Sequence, residues 1–317
     1  MENKKLKRGQ ELELTISDIA FGGKGIAKLN DRVFFVKDAI PNQKIIARIS
    51  KVKKKYIEAF KVETLKESKD EINPKCNHFK YCGGCTLQQL NYEKQIYYKQ
   101  QQVYDILSKI GEIKNPKIND IIPCDETFYY RNKMEYTFSN NPWYIDNETY
   151  DDVIIGLHVP KRFDKVLNVD RCFIQHDKCN EIINLVSELA IQNNLPPYNI
   201  RRHDGFLRTL VIRKSVRHNK IMVNFVTAYK DIKTINKVFV KKLTSTFKEI
   251  SSIINTIHSG KSQTSYGESE ECLFGDNVIM EDICGLTFKI SATSFFQTNT
   301  LQAENLYNIV RNNLNGF

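Results

Sequence analysis

Three cysteines in one short stretch carry the strongest chemical signal in the chain. Cys76, Cys82 and Cys85 are spaced C-x5-C-x2-C, and Gly83 and Gly84 lie inside the shorter step. Thiolates bind soft and borderline metal ions, and a C-x2-C step lets two sulfurs converge while glycine lets the backbone turn sharply. Zinc and the common iron–sulfur clusters usually take four protein ligands, so we expect a fourth from elsewhere in the chain. The residues alone leave both metal groups open.

The remaining composition indicates where such a site would work. The chain has 317 residues, of which 41% are hydrophobic, and it contains eight cysteines. No apolar run approaches the length of a membrane span, and the charged N-terminus leads into no apolar segment. We therefore predict a cytoplasmic monomer with no membrane partner, in which cysteine serves metal binding, catalysis or burial rather than disulfide bonds.

The N-terminal segment is basic and has the pattern of a small β domain. Residues 1–70 hold 17 Lys or Arg against 10 Asp or Glu, within a chain of formal net charge +10. Short alternating runs predict four or five strands and no helix. The layout resembles a TRAM domain, an OB-type barrel, which implies an RNA-binding domain over residues 1–68. The candidate RNA contacts are Lys51, Lys53, Lys54 and Lys55, although a lysine-rich surface can also serve solubility alone.

The rest of the chain predicts mainly antiparallel β structure with flanking helices. A helix of about twenty residues follows the cysteines and ends at Gly111. Residues 127–139 alternate as a half-buried strand whose outer face carries Arg131 and Lys133, two further RNA-binding candidates. Arg208 and Arg213 fit exposed edge charges on a strand. Further strands are predicted at 153–159, 164–169, 207–216, 221–227, 251–257, 276–281 and 286–291, and helices at 177–193, 231–248 and 300–314.

Five short motifs, in this order, resemble the RumA-type RNA uracil-5-methyltransferases. They are Cys76-x5-Cys82-Gly83-Gly84-Cys85-x2-Gln88, Tyr130-Arg131-Asn132-Lys133, Val169-Asp170-Arg171-Cys172, Gly205-Phe206-Leu207-Arg208 and Ser294-Phe295-Phe296-Gln297-Thr298-Asn299. The resemblance implies a 4Fe-4S cluster held by the three clustered cysteines and Cys172. Cys179 is the alternative fourth ligand, His78 is a weaker candidate ligand, and zinc is the alternative metal.

The resemblance also implies an activity and a domain order. The activity is methyl transfer from S-adenosylmethionine to carbon 5 of a uracil in 23S ribosomal RNA, by way of a cysteine nucleophile. It implies a TRAM barrel at 1–68, a central iron–sulfur domain at 69–89 and 123–290, and segments 90–122 and 291–317 that pack with an α/β catalytic domain. Gln297 matches a cofactor-contacting position.

The nucleophile and the glycine-rich cofactor loop are not found in this sequence. We therefore expect the N-terminal part of a longer enzyme, with catalytic residues beyond the given chain. Segments 90–122 and 292–317 should then lack a partner. We therefore expect Leu301, Leu306, Ile309 and Val310 to be exposed, mobile or buried against a neighbouring molecule.

Other functions remain open at the level of sequence. One is a standalone RNA-binding iron–sulfur module, which would account for the missing cofactor loop. Another is an iron–sulfur electron carrier or radical enzyme, although radical enzymes that use S-adenosylmethionine typically have C-x3-C-x2-C spacing. Transfer RNA is the alternative substrate for uracil-5 methylation.

Overall fold

Six strands of the N-terminal segment form one sheet. Their bounds are β1 Glu11–Thr15, β2 Asp18–Ile19, β3 Gly25–Leu29, β4 Arg32–Lys37, β5 Lys44–Val52 and β6 Tyr56–Lys66. The order is β1-β5-β6-β4-β3-β2, with β4 and β6 parallel and the other neighbours antiparallel. Alternate side chains such as Phe34, Ile45 and Ile57 are fully buried in a shared core, and each contributes about 1.5–3 kcal/mol through burial. Between β2 and β3, Gly22 and Gly23 have positive φ angles, so this glycine run is a turn as its pattern predicts.

The computed structural model describes residues 6–145 and 153–314, which divide into two units. The first holds the described residues up to Lys75 together with Cys85–Pro123, and the second holds Cys76–Gly84 and the described residues from Cys124 onward. Every helix in these described ranges is too short or too polar to cross a membrane.

The helix that follows the cysteines lies in the first unit. Helix α1 spans Tyr92–Asp105, is capped by the Asn91 side chain, and continues as a π-helical turn at Ile106–Ile110 before Gly111. Its inner face packs on the first sheet, where Tyr98 lies against Ile19 and Ile40. The prediction that residues 90–122 lack a partner is therefore wrong for this face. The periodicity of a helix shows which of its faces is apolar but not which element that face packs against. The outer face is open, and its exposed apolar side chains are Tyr97, Val103, Tyr104, Ile106 and Ile110.

Seven strands form the sheet of the second unit. They are β7 Lys133–Ser139, β8 Ile154–Val159, β9 Arg162–Asn168, β10 Leu207–Lys214, β11 Ile221–Thr227, β12 Ile250–Ile257 and β13 Ser269–Gly275. The order is β13-β12-β11-β10-β7-β8-β9. Strands β11 and β12 are parallel, an exception within the mainly antiparallel sheet that the sequence predicts. A parallel pair needs a crossover, and here it is a helix with segments α3 Ile232–Ile235 and α4 Lys241–Thr246 on either side of a π-helical turn.

The two faces of this second sheet differ in character. Met134, Tyr136 and Phe138 are buried on one face, as the alternation of β7 predicts. Helix α2, Asp177–Gln192, buries its apolar side chains, and Phe239 of the crossover stacks on Phe225 of β11 with ring centroids 4.6 Å apart. The opposite face, here called the polar face, carries Glu135, Thr137, Thr209, Arg213 and Asn224.

Strand β7 is shorter than predicted, since residues 127–132 form no regular strand.

A hairpin and a helix end the described part of the chain. Strands β14, Val278–Ile283, and β15, Leu286–Ser291, pair antiparallel, and their Ile279 and Ile290 pack on Met222 and Ile254 of the second sheet. Helix α5 spans Thr300–Leu314, and within it only Thr300 and Ala303 are buried. Leu301, Leu306, Ile309 and Val310 are exposed, as predicted.

We expect the free energy of unfolding of the second unit to decrease as the pH falls, because of His176. The buried Nε2 atom of this side chain has no hydrogen-bond partner among the described residues. Burial first, and then the charge of Lys214, lowers the pKa of His176 from 6.5 to about 4. The unfolded chain therefore takes up a proton that the folded protein resists, so stability is full above the unfolded pKa and falls as the pH drops toward 4.

A substitution can separate this effect from general acid unfolding. We expect His176→Gln to lose less stability than the wild type between about pH 7 and about pH 5. Urea unfolding followed by the fluorescence of Trp143, the single tryptophan, measures the difference. Equal losses in the two proteins would contradict this assignment.

Candidate functional site

The cysteine loop lies against strand β8 of the second sheet. His78 Nε2 lies 3.2 Å from Asp170 Oδ1, in the segment that leads to Cys172. A Cβ atom on Gly83 would lie 2.9 Å from the carbonyl oxygen of His158, so only glycine allows the backbone this close to β8. The Gly84 backbone N–H donates a hydrogen bond to Cys82 Sγ over 3.3 Å. The loop that carries Cys76 and Cys82 is therefore held in place by contacts within the second unit.

The buried hydroxyl of Tyr136 interacts electrostatically with cysteines of this unit. Its hydroxyl makes no hydrogen bond to oxygen or nitrogen among the described residues. Burial, and then the neighbouring thiols of Cys172, Cys179 and Cys82, raises the pKa of Tyr136 well above its usual range. The loop cysteine Cys82 and the later Cys172 thus influence the same hydroxyl, although 90 positions separate them in the chain.

The four predicted metal ligands do not form a complete site by geometry alone. Within residues 6–145 and 153–314, no three His, Cys, Asp or Glu side chains converge to hold one metal ion. The 4Fe-4S cluster and zinc both remain predictions. Thiolate donors suit either group, and Cys85 belongs to the first unit whereas Cys76, Cys82 and Cys172 belong to the second.

Cys179, the alternative fourth ligand, lies on α2 and is buried. Burial raises the pKa of its thiol to about 12 in the metal-free protein. It remains the alternative to Cys172.

The segment that carries Gln297 is fixed by Asn132. The buried Asn132 Nδ2 donates hydrogen bonds to the Gln297 carbonyl at 2.8 Å and to Thr300 Oγ1 at 2.9 Å. Its backbone N–H donates to the Thr298 carbonyl at 2.8 Å. Gln297 itself is exposed. A fixed backbone with an exposed amide side chain is suited to presenting that amide to a ligand.

Glu281 connects the same segment to the second sheet. This carboxylate is 1% exposed. It accepts hydrogen bonds from the backbone N–H groups of Val216, at 2.7 Å, and Arg217, at 3.0 Å, and from the hydroxyls of Ser215 and Thr300, both at 3.3 Å. Four donors around one buried carboxylate tie the β10–β11 turn, strand β14 and the start of α5 together.

Two arginines predicted as edge charges are buried. Arg208 is 5% exposed, and its guanidinium donates to three backbone carbonyls of the loop at 258–262. Arg213 is 2% exposed and donates to the Ser294 carbonyl at 2.7 Å, and burial lowers its pKa to about 10. The edge-charge interpretation is therefore wrong, because β10 is an interior strand with β7 and β11 on its two sides.

The predicted RNA contacts fall into two groups. Lys51, Lys53, Lys54 and Lys55 of the first unit are exposed. Arg131 is half-buried and its Nε donates to the Lys133 carbonyl at 2.9 Å, while Lys133 pairs with Glu135 at 2.7 Å. The four lysines are thus free to meet a polyanion, whereas the other two cations already have partners within the protein. All six remain predictions.

Residues 5–62 match the family model of the TRAM domain, which confirms that prediction. The rest of the chain also has relatives. An uncharacterised RNA methyltransferase of Chlorobaculum tepidum is 35% identical over 311 residues, which cover 95% of this chain and 64% of the relative. An uncharacterised RNA methyltransferase of Bacteroides thetaiotaomicron is 37% identical over 300 residues, which cover 92% of this chain and 66% of the relative. The chain is therefore similar to RNA methyltransferases over nearly its whole length. It spans 64% and 66% of the length of these two relatives.

This chain is also similar in fold to a solved enzyme. The Pyrococcus abyssi tRNA (uracil-54, C5)-methyltransferase, solved in complex with S-adenosyl-L-homocysteine, matches with a TM-score of 0.70 and 26% identity. The match covers 95% of this chain and 64% of that one. These findings confirm the predicted relation to RNA methyltransferases, while uracil-5 chemistry and ribosomal RNA remain predictions.

Sequence reasoning missed Asn132, Arg213 and Glu281, which position the Gln297 segment. Asn132 and Gln297 each lie in a recognised motif, but the contact between them spans 165 positions. The sequence shows both polar motifs, but local spacing does not predict which motifs contact each other in the fold.

Proposed function

We propose that this chain acts in S-adenosylmethionine-dependent methylation of carbon 5 of a uracil in 23S ribosomal RNA. The observation that carries the proposal is similarity over nearly the whole chain to RNA methyltransferases and to a uracil-C5 enzyme crystallised with the demethylated cofactor. The TRAM domain and its exposed lysines support an RNA substrate.

The chemistry assigns a role to the fixed segment around Gln297. Carbon 5 of uracil is a poor nucleophile until a thiolate adds at carbon 6, so the methyl donor and the ring must be held together at reacting distance. S-adenosylmethionine supplies the methyl group when bound. Gln297 would contact it, with Asn132 and Glu281 as positioning residues that hold the backbone of the segment.

Nucleoside mapping of a deletion strain tests the proposal. We expect 5-methyluridine to disappear from one or more sites in 23S ribosomal RNA and to return when the gene is restored, as measured by mass spectrometry of digested RNA. Loss from transfer RNA instead would favour the alternative substrate. An unchanged 5-methyluridine content in both RNA classes would overturn the proposal.

We also propose that Cys76, Cys82, Cys85 and Cys172 hold a 4Fe-4S cluster. The all-thiolate donor set and the C-x5-C-x2-C spacing of its first three members support this. Cys172→Ser should remove iron from the protein, and Cys179→Ser should leave it in place.

The measurement is iron, sulfide and zinc content after anaerobic purification. The opposite result for the two serine variants would move the fourth ligand to Cys179. A wild-type protein free of iron and sulfide would end the cluster assignment, and stoichiometric zinc would replace it.

A further inference from the structure

A cleft on the polar face of the second sheet has none of the cysteines and none of residues 291–300 in its lining. Its volume is about 490 Å³, within the range of about 300–1,000 Å³ that holds small organic ligands. Most of its lining is uncharged and able to donate or accept hydrogen bonds, and its charged lining residues are Glu135, Asp164, Arg201, Arg202 and Arg208. The uncharged polar lining includes Thr137, Ser139, Asn141, Thr209, Gln263 and Thr264.

One wall of the cleft is rigid because Arg208 is fully engaged. Its Nη1 atom donates to the carbonyls of His258, at 2.9 Å, and Gly260, at 2.7 Å, and Nη2 donates to that of Ser262 at 2.6 Å. The guanidinium carbon lies 3.9 Å from the centroid of the Tyr198 ring. Arg208 therefore fixes the wall and does not present a free cation to the interior.

His158 adds a neutral group to the lining. Its Nε2 atom lies 3.2 Å from Thr137 Oγ1. Burial is the main cause that lowers the pKa of His158, so the imidazole is uncharged at neutral pH. A cleft with neutral polar groups in its interior is suited to the edge of a heterocyclic base rather than to a free phosphate.

The rim, by contrast, is cationic and preorganised. The Asn199 side-chain oxygen accepts from the backbone N–H groups of Arg201 and Arg202, both at 3.0 Å, which fixes the turn that carries them. The buried carboxylate of Asp164 pairs with Arg201 at 2.6 Å and with Arg162 at 3.1 Å. The side chains of Arg201 and Arg202 are largely exposed, and Arg202 pairs with the exposed Asp204 at 3.0 Å. Such a rim suits the phosphates on either side of a bound base.

Phe163 completes the rim with an aromatic surface. It lines the cleft and is 68% exposed, although its neighbours in β9, Arg162 and Asp164, pair with each other. Exposed aromatic rings beside cations are the usual stacking platforms for unpaired bases, and each stacked base contributes about 1–3 kcal/mol.

We propose that this cleft binds one unpaired nucleotide of the RNA, with the base inside and the flanking phosphates toward Arg201 and Arg202. The inference rests on the proposed function only in taking RNA as the substrate. It adds a single-strand contact on the second unit that is independent of the lysines of the TRAM domain.

Binding of fluorescent RNA oligonucleotides tests the cleft. We expect the wild type to prefer a single strand over the same sequence in a duplex, and Phe163→Ala to weaken single-strand binding about 5- to 100-fold. Arg202→Ala should lower the salt slope of single-strand binding by about 0.7, the value for one phosphate contact. Lys242→Ala, which removes an exposed charge from α4, is the matched control and should leave both quantities unchanged.

Photocrosslinking locates the contact. RNA that carries 5-bromouridine should crosslink to peptides that contain Phe163 or residues 198–204. Unchanged single-strand affinity in Phe163→Ala, or crosslinks confined to the TRAM domain, would overturn the cleft assignment while leaving the proposed function intact. Failure of the wild type to bind any RNA would contradict the proposed function itself. Thermal unfolding of each variant verifies that it is folded, and Phe163→Ala decides the question if Arg202→Ala does not fold.

Discussion

Replacing Glu281 by alanine is expected to lower the free energy of unfolding of the second unit by about 3–4 kcal/mol. The carboxylate is buried and accepts four hydrogen bonds, two of them from backbone N–H groups of the β10–β11 turn. Removing it leaves those donors unsatisfied inside the protein, which costs more than the loss of one hydrogen bond. Because Thr300 loses a partner as well, we expect faster amide exchange over residues 294–300.

Urea unfolding followed by Trp143 fluorescence and hydrogen–deuterium exchange measure the two effects. Glu271→Ala is the control, since Glu271 forms an exposed pair with Lys230 and should change stability by about 0.5 kcal/mol or less. Glu281→Gln should be intermediate, because one acceptor oxygen is replaced by a donor that faces other donors. Equal stability of Glu281→Ala and the control would show that the hydrogen bonds to Glu281 do not stabilise this unit.

The elements of the fold were largely predictable from periodicity. Alternation in β7 placed Met134, Tyr136 and Phe138 on a buried face, and the spacing of residues 300–314 predicted α5. Both signals arise because one face of each element is apolar. Strand β13, Ser269–Gly275, was missed because it is an edge strand with mostly exposed, partly acidic residues, so it has no apolar alternation to detect.

The candidate sites were predictable only in part. Cysteine spacing indicated metal ligands because the donor chemistry belongs to the residue type. The buried Arg208 and Arg213 were misread because charged side chains are rarely buried and the carbonyls that accept their hydrogen bonds lie 50 or more positions away in the chain. The cleft lined by Tyr198, Phe163 and Thr137 is assembled from separate strands and loops, so no local motif marks it.

Replacing Lys51, Lys53, Lys54 and Lys55 together by alanine is expected to weaken binding to a ribosomal RNA fragment by about 100-fold and to lower the salt slope by about 3. Each phosphate contact releases about one counterion, so four exposed cations account for a loss of this size. All four lie at the end of β5 and in the turn before β6, away from the buried core of the first sheet, so the fold should be retained.

The matched control removes the same number of lysines from another exposed surface. Lys233, Lys237, Lys241 and Lys242 lie on the crossover helix between β11 and β12 and are exposed. Alanine at these positions keeps the helix, because alanine has the highest helix propensity. Both quadruple variants change the net charge equally, so a general electrostatic effect would weaken RNA binding in both. A loss confined to the variant of residues 51–55 assigns the phosphate contacts to the TRAM domain, whereas equal slopes in the two variants would remove these lysines from the RNA interface.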